Sequence, residues 1–130
     1  MENYKSQLVK KWVTKNNHNA VIVHNKIITD VNVDFDLTNR LADGWYCGYV
    51  GVPKNSPLYD KSLDVIDNML VHGSVTFANQ IQNIDYFNPE LYYIGFDTMH
   101  FDDFDNPKSL DYVEQECENL SSQIAIINQM

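Results

Sequence analysis

The chain has little cysteine, few basic residues and no long apolar run. Cys47 and Cys117 are the only cysteines among 130 residues. Two isolated thiols without CxxC spacing exclude a zinc ribbon and a disulfide framework, and they point to a reduced, cytoplasmic setting. No apolar stretch approaches the roughly 20 residues that span a bilayer. Met1-Glu2-Asn3-Tyr4-Lys5 is not followed by the apolar core of a signal peptide, so no membrane association is expected. Basic residues number 9 against 18 acidic ones, for a net charge of −9. The shortage is uneven. Residues 1–26 hold five Lys and one Glu, or +4, whereas residues 27–130 hold four basic and seventeen acidic groups, or −13. Most of such a surface repels phosphates, so direct nucleic-acid binding is not expected. The phosphate loop GxxxxGK(S/T), the dinucleotide fingerprint GxGxxG, the zinc motif HExxH and the nucleophile elbow GxSxG are all missing.

What is present is an apolar fraction of 44%, which fits a globular protein. The length suits one domain, 1–130, with residues 1–19 as a peripheral N-terminal segment, 20–97 as a sheet and 106–127 as a C-terminal helix. Tyr4, Leu8 and Trp12 lie four apart among lysines, which predicts a short helix over 4–15. Asn16-Asn17-His18-Asn19 breaks it. Ala20-Val21-Ile22-Val23-His24 is β-branched and predicts a strand, with a turn at Asn25-Lys26 and a return strand from Ile27 to Leu37. In its second half Asp30, Asn32, Asp34 and Asp36 alternate with Val31, Val33, Phe35 and Leu37, the pattern of a half-buried strand with an acidic outer face. An EF-hand reading of Asp30-Val31-Asn32-Val33-Asp34 fails, because Phe35 stands where the loop needs Gly and Leu41 where it needs Glu.

Trp45 to Val52 is aromatic and apolar and predicts a central strand, with Gly48 and Gly51 marking a bulge or a close approach. Alternation predicts strands over Val71–Ala78 and Leu91–Phe96, joined by an Asn- and Gln-rich connection long enough to be functional. Asn106-Pro107 reads as a helix start. Leu110, Val113, Cys117, Leu120, Ile124 and Ile127 then repeat at spacings of three and four, a stripe that packs on the sheet or, alternatively, forms a dimer seam. The expected fold is α+β: a mostly antiparallel sheet of about four or five strands with a C-terminal amphipathic helix packed on one face. His18 and His24 look incidental.

If the 71–78 and 91–97 strands pair antiparallel, His72 at the start of one lies beside Asp97, His100 and Asp103 at the end of the other, within about 10 Å. Gly73 and Gly95 would admit a close approach. Three uses fit these groups. Neutral His with carboxylates binds a divalent metal that activates water. Without metal, His72 or His100 oriented by Asp97 serves as general acid or base. Or His72, Thr76, Asp97 and His100 hydrogen-bond a polar ligand, with Tyr92, Tyr93 or Trp45 as a stacking face. The plain structural reading is that His72 and Asp97 bond each other and the nearby turn.

An ordered set of short motifs runs through the same region: Trp45-Tyr46-Cys47-Gly48-Tyr49-Val50-Gly51-Val52-Pro53, Ser56-Pro57-Leu58-Tyr59, His72-Gly73 with Thr76-Phe77, Gly95-Phe96-Asp97 with His100, and Tyr112-Val113 with Glu116-Cys117 and Leu120. Across residues 45–123 the set resembles a family of small proteins encoded by phages and prophages. In that family's pattern a second Gly follows His-Gly, a Cys follows Gly-Phe-Asp, and Gly-Asp follows the second His. Here those places hold Ser74, Thr98 and Phe101-Asp102-Asp103. The resemblance implies an origin rather than a reaction. Small acidic phage proteins often counter host defence, so the leading expectation is an accessory protein of the host-cell cytoplasm, monomeric or homodimeric. It would bind a nucleotide-like signal or a host effector protein through His72, Thr76, Asp97 and His100, without a cofactor. One alternative is a phosphodiesterase or nuclease holding divalent metal at His72, Asp97, His100 and Asp103. Another is a nucleic-acid mimic that presents the acidic stretches 30–36 and 97–118 to a basic groove.

Overall fold

Val21-Ile22-Val23 and Trp45-Tyr46-Cys47-Gly48-Tyr49 are β-branched and aromatic runs that favour extended backbone, and they lie in adjacent strands near the middle of the sheet. The computed structural model describes residues 4–27, 44–66, 69–99 and 108–129. Its strands are β1 (Tyr4–Val13), β2 (Asn19–Ile27), β3 (Trp45–Val52), β4 (Phe77–Asn79) and β5 (Tyr92–Asp97). They form one sheet in the order β1-β2-β3-β5-β4, antiparallel throughout. A four-residue turn of helix, α1 (Leu63–Ile66), lies in the connection from β3 to β4, and a long helix, α2 (Leu110–Asn128), ends the chain. The fold is α+β.

Both faces of the sheet are covered. On one, Ile22, Val50, Val52, Ile94 and Phe96 meet Val113, Cys117, Leu120 and Ile124 of α2, which packs mainly on β3. On the other, Val21, Val23, Trp45, Cys47 and Tyr93 meet Phe87 of the loop between β4 and β5. Strand alternation sorts these residues: even numbers of β3 and β5 face the helix, odd numbers the loop. Gly48 lets α2 come close, since a Cβ there would sit 2.7 Å from Cys117 Sγ and 2.7 Å from the Phe96 ring. Ser109 caps α2, its hydroxyl accepting from Tyr112 N at 3.2 Å. The cap contributes about 1 kcal/mol. Val113, Leu120 and Ile124 are fully buried, and at about 1.5–3 kcal/mol each their docking outweighs the cap. The stripe expected on this helix therefore packs on the sheet. No helix among the described residues is long and apolar enough to cross a membrane.

Four expectations need correction. Residues 4–13 form a strand, not a helix, and so belong to the sheet rather than to a peripheral segment. A spacing of four satisfies a strand's period as well as a helix's, and an isolated helix of that length is marginal. Pairing along β2 decides it, with a register shift between Leu8 and Lys10 that turns Trp12 toward α2. There Trp12 Nε1 donates to Glu118 at 2.9 Å, and Lys10 pairs with Glu114 at 2.9 Å. Next, Asn25-Lys26 is not a turn: β2 runs on to Ile27 because β1 pairs it as far as Tyr4↔Ile27. The remainder of the expected return strand, residues 28–37, lies outside the described residues. Third, of the strand expected over 71–78 only Phe77 and Ala78 are strand, in β4. Gly73 and Ser74 both take φ of +66°, and Ser74 N donates to Val71 O, so 71–74 is a turn. Finally, His18 is not incidental. It is 7% exposed, and its Nδ1 lies 2.6 Å from Ser121 Oγ, which in turn lies 2.6 Å from Thr14 Oγ1. This buried trio ties the β1–β2 turn to α2. The expected helix start at Asn106-Pro107 lies outside the described residues.

Candidate functional site

The antiparallel pairing of β4 and β5 does occur, in the register Phe77↔Gly95. It brings two of the expected residues together. Thr76 N donates to Gly95 O at 2.9 Å, and Thr76 Oγ1 donates to Asp97 Oδ2 at 3.1 Å. Met99 N donates to the other carboxylate oxygen at 3.0 Å, so the chain turns tightly after β5 and fixes the Asp97 side chain. His72 goes elsewhere. The turn at 71–74 carries it to α2, where its backbone N donates to Glu116 Oε1 at 2.8 Å and its Nδ1 shares a 2.8 Å hydrogen bond with Tyr112 Oη. His100 and Asp103 lie outside the described residues, as does the acidic stretch 30–36. Among the described residues no three His, Cys, Asp or Glu side chains gather as a metal ion would need.

Asp97 lies on the sheet face away from α2, opposite Cys47 of β3, which is itself opposite Val23 of β2. In the next row Phe77, Gly95 and Tyr49 stand side by side. Gly95 is needed there: a Cβ would meet Tyr49 Cδ1 at 2.6 Å, so only glycine lets the tyrosine ring lie across the sheet. Phe77 meets that ring edge-to-face at 5.5 Å, and Phe87 does so at 5.2 Å. The result is a cleft of about 270 Å³ lined by Asn25, Trp45, Cys47, Tyr49, Thr76, Phe77, Phe96, Asp97 and Met99. A second hollow, of about 480 Å³, is lined by Asn83, Ile84, Asp85, Phe87 and Pro89 of a single loop. The smaller cleft is the better candidate, because four strand segments converge on it.

The cleft's polar groups are held by one another. Asn25 is buried, donates from Nδ2 to Cys47 Sγ at 3.2 Å, and accepts from Ser6 Oγ. Burial pushes the Cys47 thiol up to about 12, the charge of Asp97 adds to the rise, and hydrogen bonds from Trp45 and Asn25 oppose it. Cys47 is therefore a thiol at neutral pH and a poor nucleophile or metal ligand. Burial likewise raises Cys117, with the carboxylates of Glu118 and Glu116 contributing.

Of the three expected stacking faces, Trp45 lines the cleft. Tyr92 lies on the face that α2 covers, its single hydroxyl proton shared between the carbonyls of Lys61 and Ala78. Tyr93 is fully buried, and its hydroxyl accepts from Asn88 N at 2.9 Å. Sequence reasoning missed Asn25, Cys47, Tyr49 and Phe77. Their shared odd parity was readable, but the register that sets Cys47 against Asp97 was not. No family model, curated protein or solved structure matches the chain.

Proposed function

We propose that the chain is a phage-derived accessory protein that acts against a host defence system by binding, with the cleft around Asp97 as its contact site. The setting comes from the resemblance of residues 45–123 to small phage and prophage proteins. The site reading is carried by the cleft itself, which Trp45, Tyr49 and Phe77 line together with Asp97 at a strand end. Its volume of about 270 Å³ falls below the roughly 300–1,000 Å³ of sites that enclose a drug-sized ligand. That suits one ring or one side chain of a larger ligand, which favours a host effector protein over a whole nucleotide signal. Binding is favoured over metal-dependent hydrolysis because the described part of the expected ligand set is divided, with His72 bonded to Glu116 and Tyr112 of α2 and Asp97 held by Thr76 and Met99 on the opposite face of the sheet.

The test has two arms. Purified protein is mixed with linear and cyclic nucleotides, with and without Mg²⁺, Mn²⁺ and Zn²⁺, and the free pool is followed by chromatography before and after heat denaturation. Phages carrying the wild-type gene or its Asp97→Asn variant are plated on hosts with and without defence systems. The expected outcome is no nucleotide product under any metal, and an advantage on a defended host that Asp97→Asn removes without lowering Tm. Conversion of a nucleotide to product, or full protection by the variant, would overturn the reading.

A further inference from the structure

The segment of residues 69–72 crosses α2, and its contacts there are polar. Leu70 N donates to Gln123 Oε1 at 2.8 Å, and Leu70 O accepts from Gln123 Nε2 at 2.7 Å and from Asn119 Nδ2 at 2.8 Å. The two helix side chains brace each other, with Gln123 Nε2 also donating to Asn119 Oδ1 at 3.2 Å. Two positions on, His72 N donates to Glu116 and His72 Nδ1 is bonded to Tyr112. Tyr112, Glu116, Asn119 and Gln123 are spaced four, three and four apart, so they form one stripe of α2, distinct from the buried stripe of Val113, Cys117, Leu120 and Ile124. The stripe holds the segment by its backbone. Met69 is buried beneath, but the Leu70 side chain is 80% exposed.

A single exposed leucine is ordinary. Three hydrogen bonds on the N–H and C=O of that same leucine are not, because they fix where an apolar side chain stands in solvent. Ile126 follows Gln123 by three residues on the same stripe and is 62% exposed. The two apolar groups are thus set along α2 about one helical turn apart, the spacing at which apolar residues repeat on a packing helix. Both segments are acidic. Residues 60–72 hold three acidic residues and one Lys, and residues 109–130 hold four acidic residues and no Lys or Arg. Glu114 pairs with Lys10. Glu116 and Glu118 accept instead from neutral N–H groups of His72, Trp12 and Lys15, which hold the carboxylates without cancelling their charge.

A phosphate-rich surface or the same face of a second copy is repelled here, and a basic surface is attracted. The middle of a helix offers no backbone groups to an extended segment, whereas a second helix satisfies its own backbone and packs side chain on side chain. We infer that the face of α2 crossed by residues 69–72 receives a basic amphipathic helix of a partner protein. Leu70 and Ile126 meet its apolar stripe, and Glu116 meets its lysines and arginines. This surface lies on the helix side of the sheet, away from the cleft of Asp97, and does not depend on the role proposed for that cleft.

The probes are capped peptides about 15 residues long, enough to hold a helix on contact. The first is built of leucine and lysine, with the leucines at helical spacing. The second has the same composition in an order that spreads leucine around the helix. The third carries glutamate in place of lysine. Each is titrated into the isotope-labelled full chain at physiological salt, and the protein alone is diluted as a further arm.

The first peptide is expected to shift the Leu70 amide, the side-chain amides of Asn119 and Gln123 and the Ile126 methyls, leaving the Trp45 indole in place, and to bind more weakly as salt rises. The second should bind about ten-fold more weakly, and the third not at all. Leu70→Ser should weaken the first peptide about ten-fold, the scale of one buried leucine, with Tm unchanged because the clamp is on the backbone. Val13→Ser, which removes an apolar side chain 57% exposed on β1, should not weaken it. Equal binding of the second peptide, or a Leu70→Ser protein that binds like wild type, overturns the inference, because charge alone is then read. Shifts centred on Trp45 and Gly95 overturn it as well and place the peptide in the cleft. Shifts of the Leu70 and Ile126 resonances on dilution of the protein alone, absent from Leu70→Ser, make the face a contact between two copies and refute the basic partner. No response to any peptide refutes the surface altogether.

Discussion

Replacing Gly48 with alanine tests how the helix is seated. A Cβ at this position would lie 2.7 Å from Cys117 Sγ and 2.7 Å from two atoms of the Phe96 ring. Ordinary contact begins near 3.4 Å, so three overlaps of about 0.7 Å arise together. Cys117 and Phe96 are both buried, at 0% and 1% exposure, so neither can swing out into solvent. Overpacking of this kind costs about 1–3 kcal/mol. Alanine returns about 0.5–1 kcal/mol by restricting the unfolded chain relative to glycine. At the middle of both ranges the steric cost wins, for a net loss of about 1 kcal/mol. Cys117→Ala alone loses a buried sulfur, at about 1 kcal/mol. The two changes together should cost less than their sum by about 0.5–1 kcal/mol, because the new methyl occupies space the sulfur leaves. Rescue stays incomplete, since the Phe96 overlaps remain. The assay is urea unfolding of wild type, both single variants and the double variant, followed by circular dichroism, with the slope m unchanged. Additivity within about 0.3 kcal/mol, or a Gly48→Ala protein as stable as wild type, would refute the close seating of α2 on β3.

The buried trio of His18, Ser121 and Thr14 makes stability depend on pH. Burial lowers the His18 pKa below its usual 6.5, so the unfolded chain takes up the proton first. The contribution of His18 is complete above about pH 6.5 and is lost as pH falls through the folded value, at up to about 1.4 kcal/mol per pH unit. The stability difference between wild type and His18→Gln should therefore shrink between about pH 7.5 and about pH 5, and a constant or widening difference in urea unfolding would contradict this. His72→Ala removes an exposed hydrogen bond to Tyr112, at the low end of about 0.5–1.5 kcal/mol. It should leave the Trp45 indole resonance, on the other face of the sheet, unchanged. A shift of that resonance in a folded His72→Ala protein would return His72 to the site.

The candidate site was half legible beforehand. Asp97 and Thr76 could be placed at one sheet edge because consecutive strands tend to pair, and β4 and β5 do. A strand beginning at Val71 would place His72 at the same edge. Two residues with positive φ, Gly73 and Ser74, break that strand and hand His72 to α2. The alternation of Val71, Gly73, Val75 and Phe77 gave no warning. A turn with inward Val75 and a strand with inward Val75 bury the same side chain, and Val75 is buried here. Asn25 reads as a turn residue for a similar local reason. Asparagine favours turns, but here its amide is held inside the sheet by Cys47 and Ser6.

By itself the sequence determined what rests on period and composition. The stripe from Leu110 to Ile127 makes α2 amphipathic wherever it docks, and the β-branched and aromatic runs make β2, β3 and β5 extended. Tertiary structure decided everything that depends on register. The pairing of β1 with β2 turned a stripe that fits either period into an edge strand. The order β3-β5-β4 put Asp97 beside Cys47 and laid Tyr49 across Gly95. Covering of the second face by the Phe87 loop left the cleft between them. The physical reason is that periodicity reports which face a side chain occupies, a property of a few neighbouring residues. A site is made by residues distant in the chain, and only the long-range hydrogen-bond ladder decides which of those stand opposite one another.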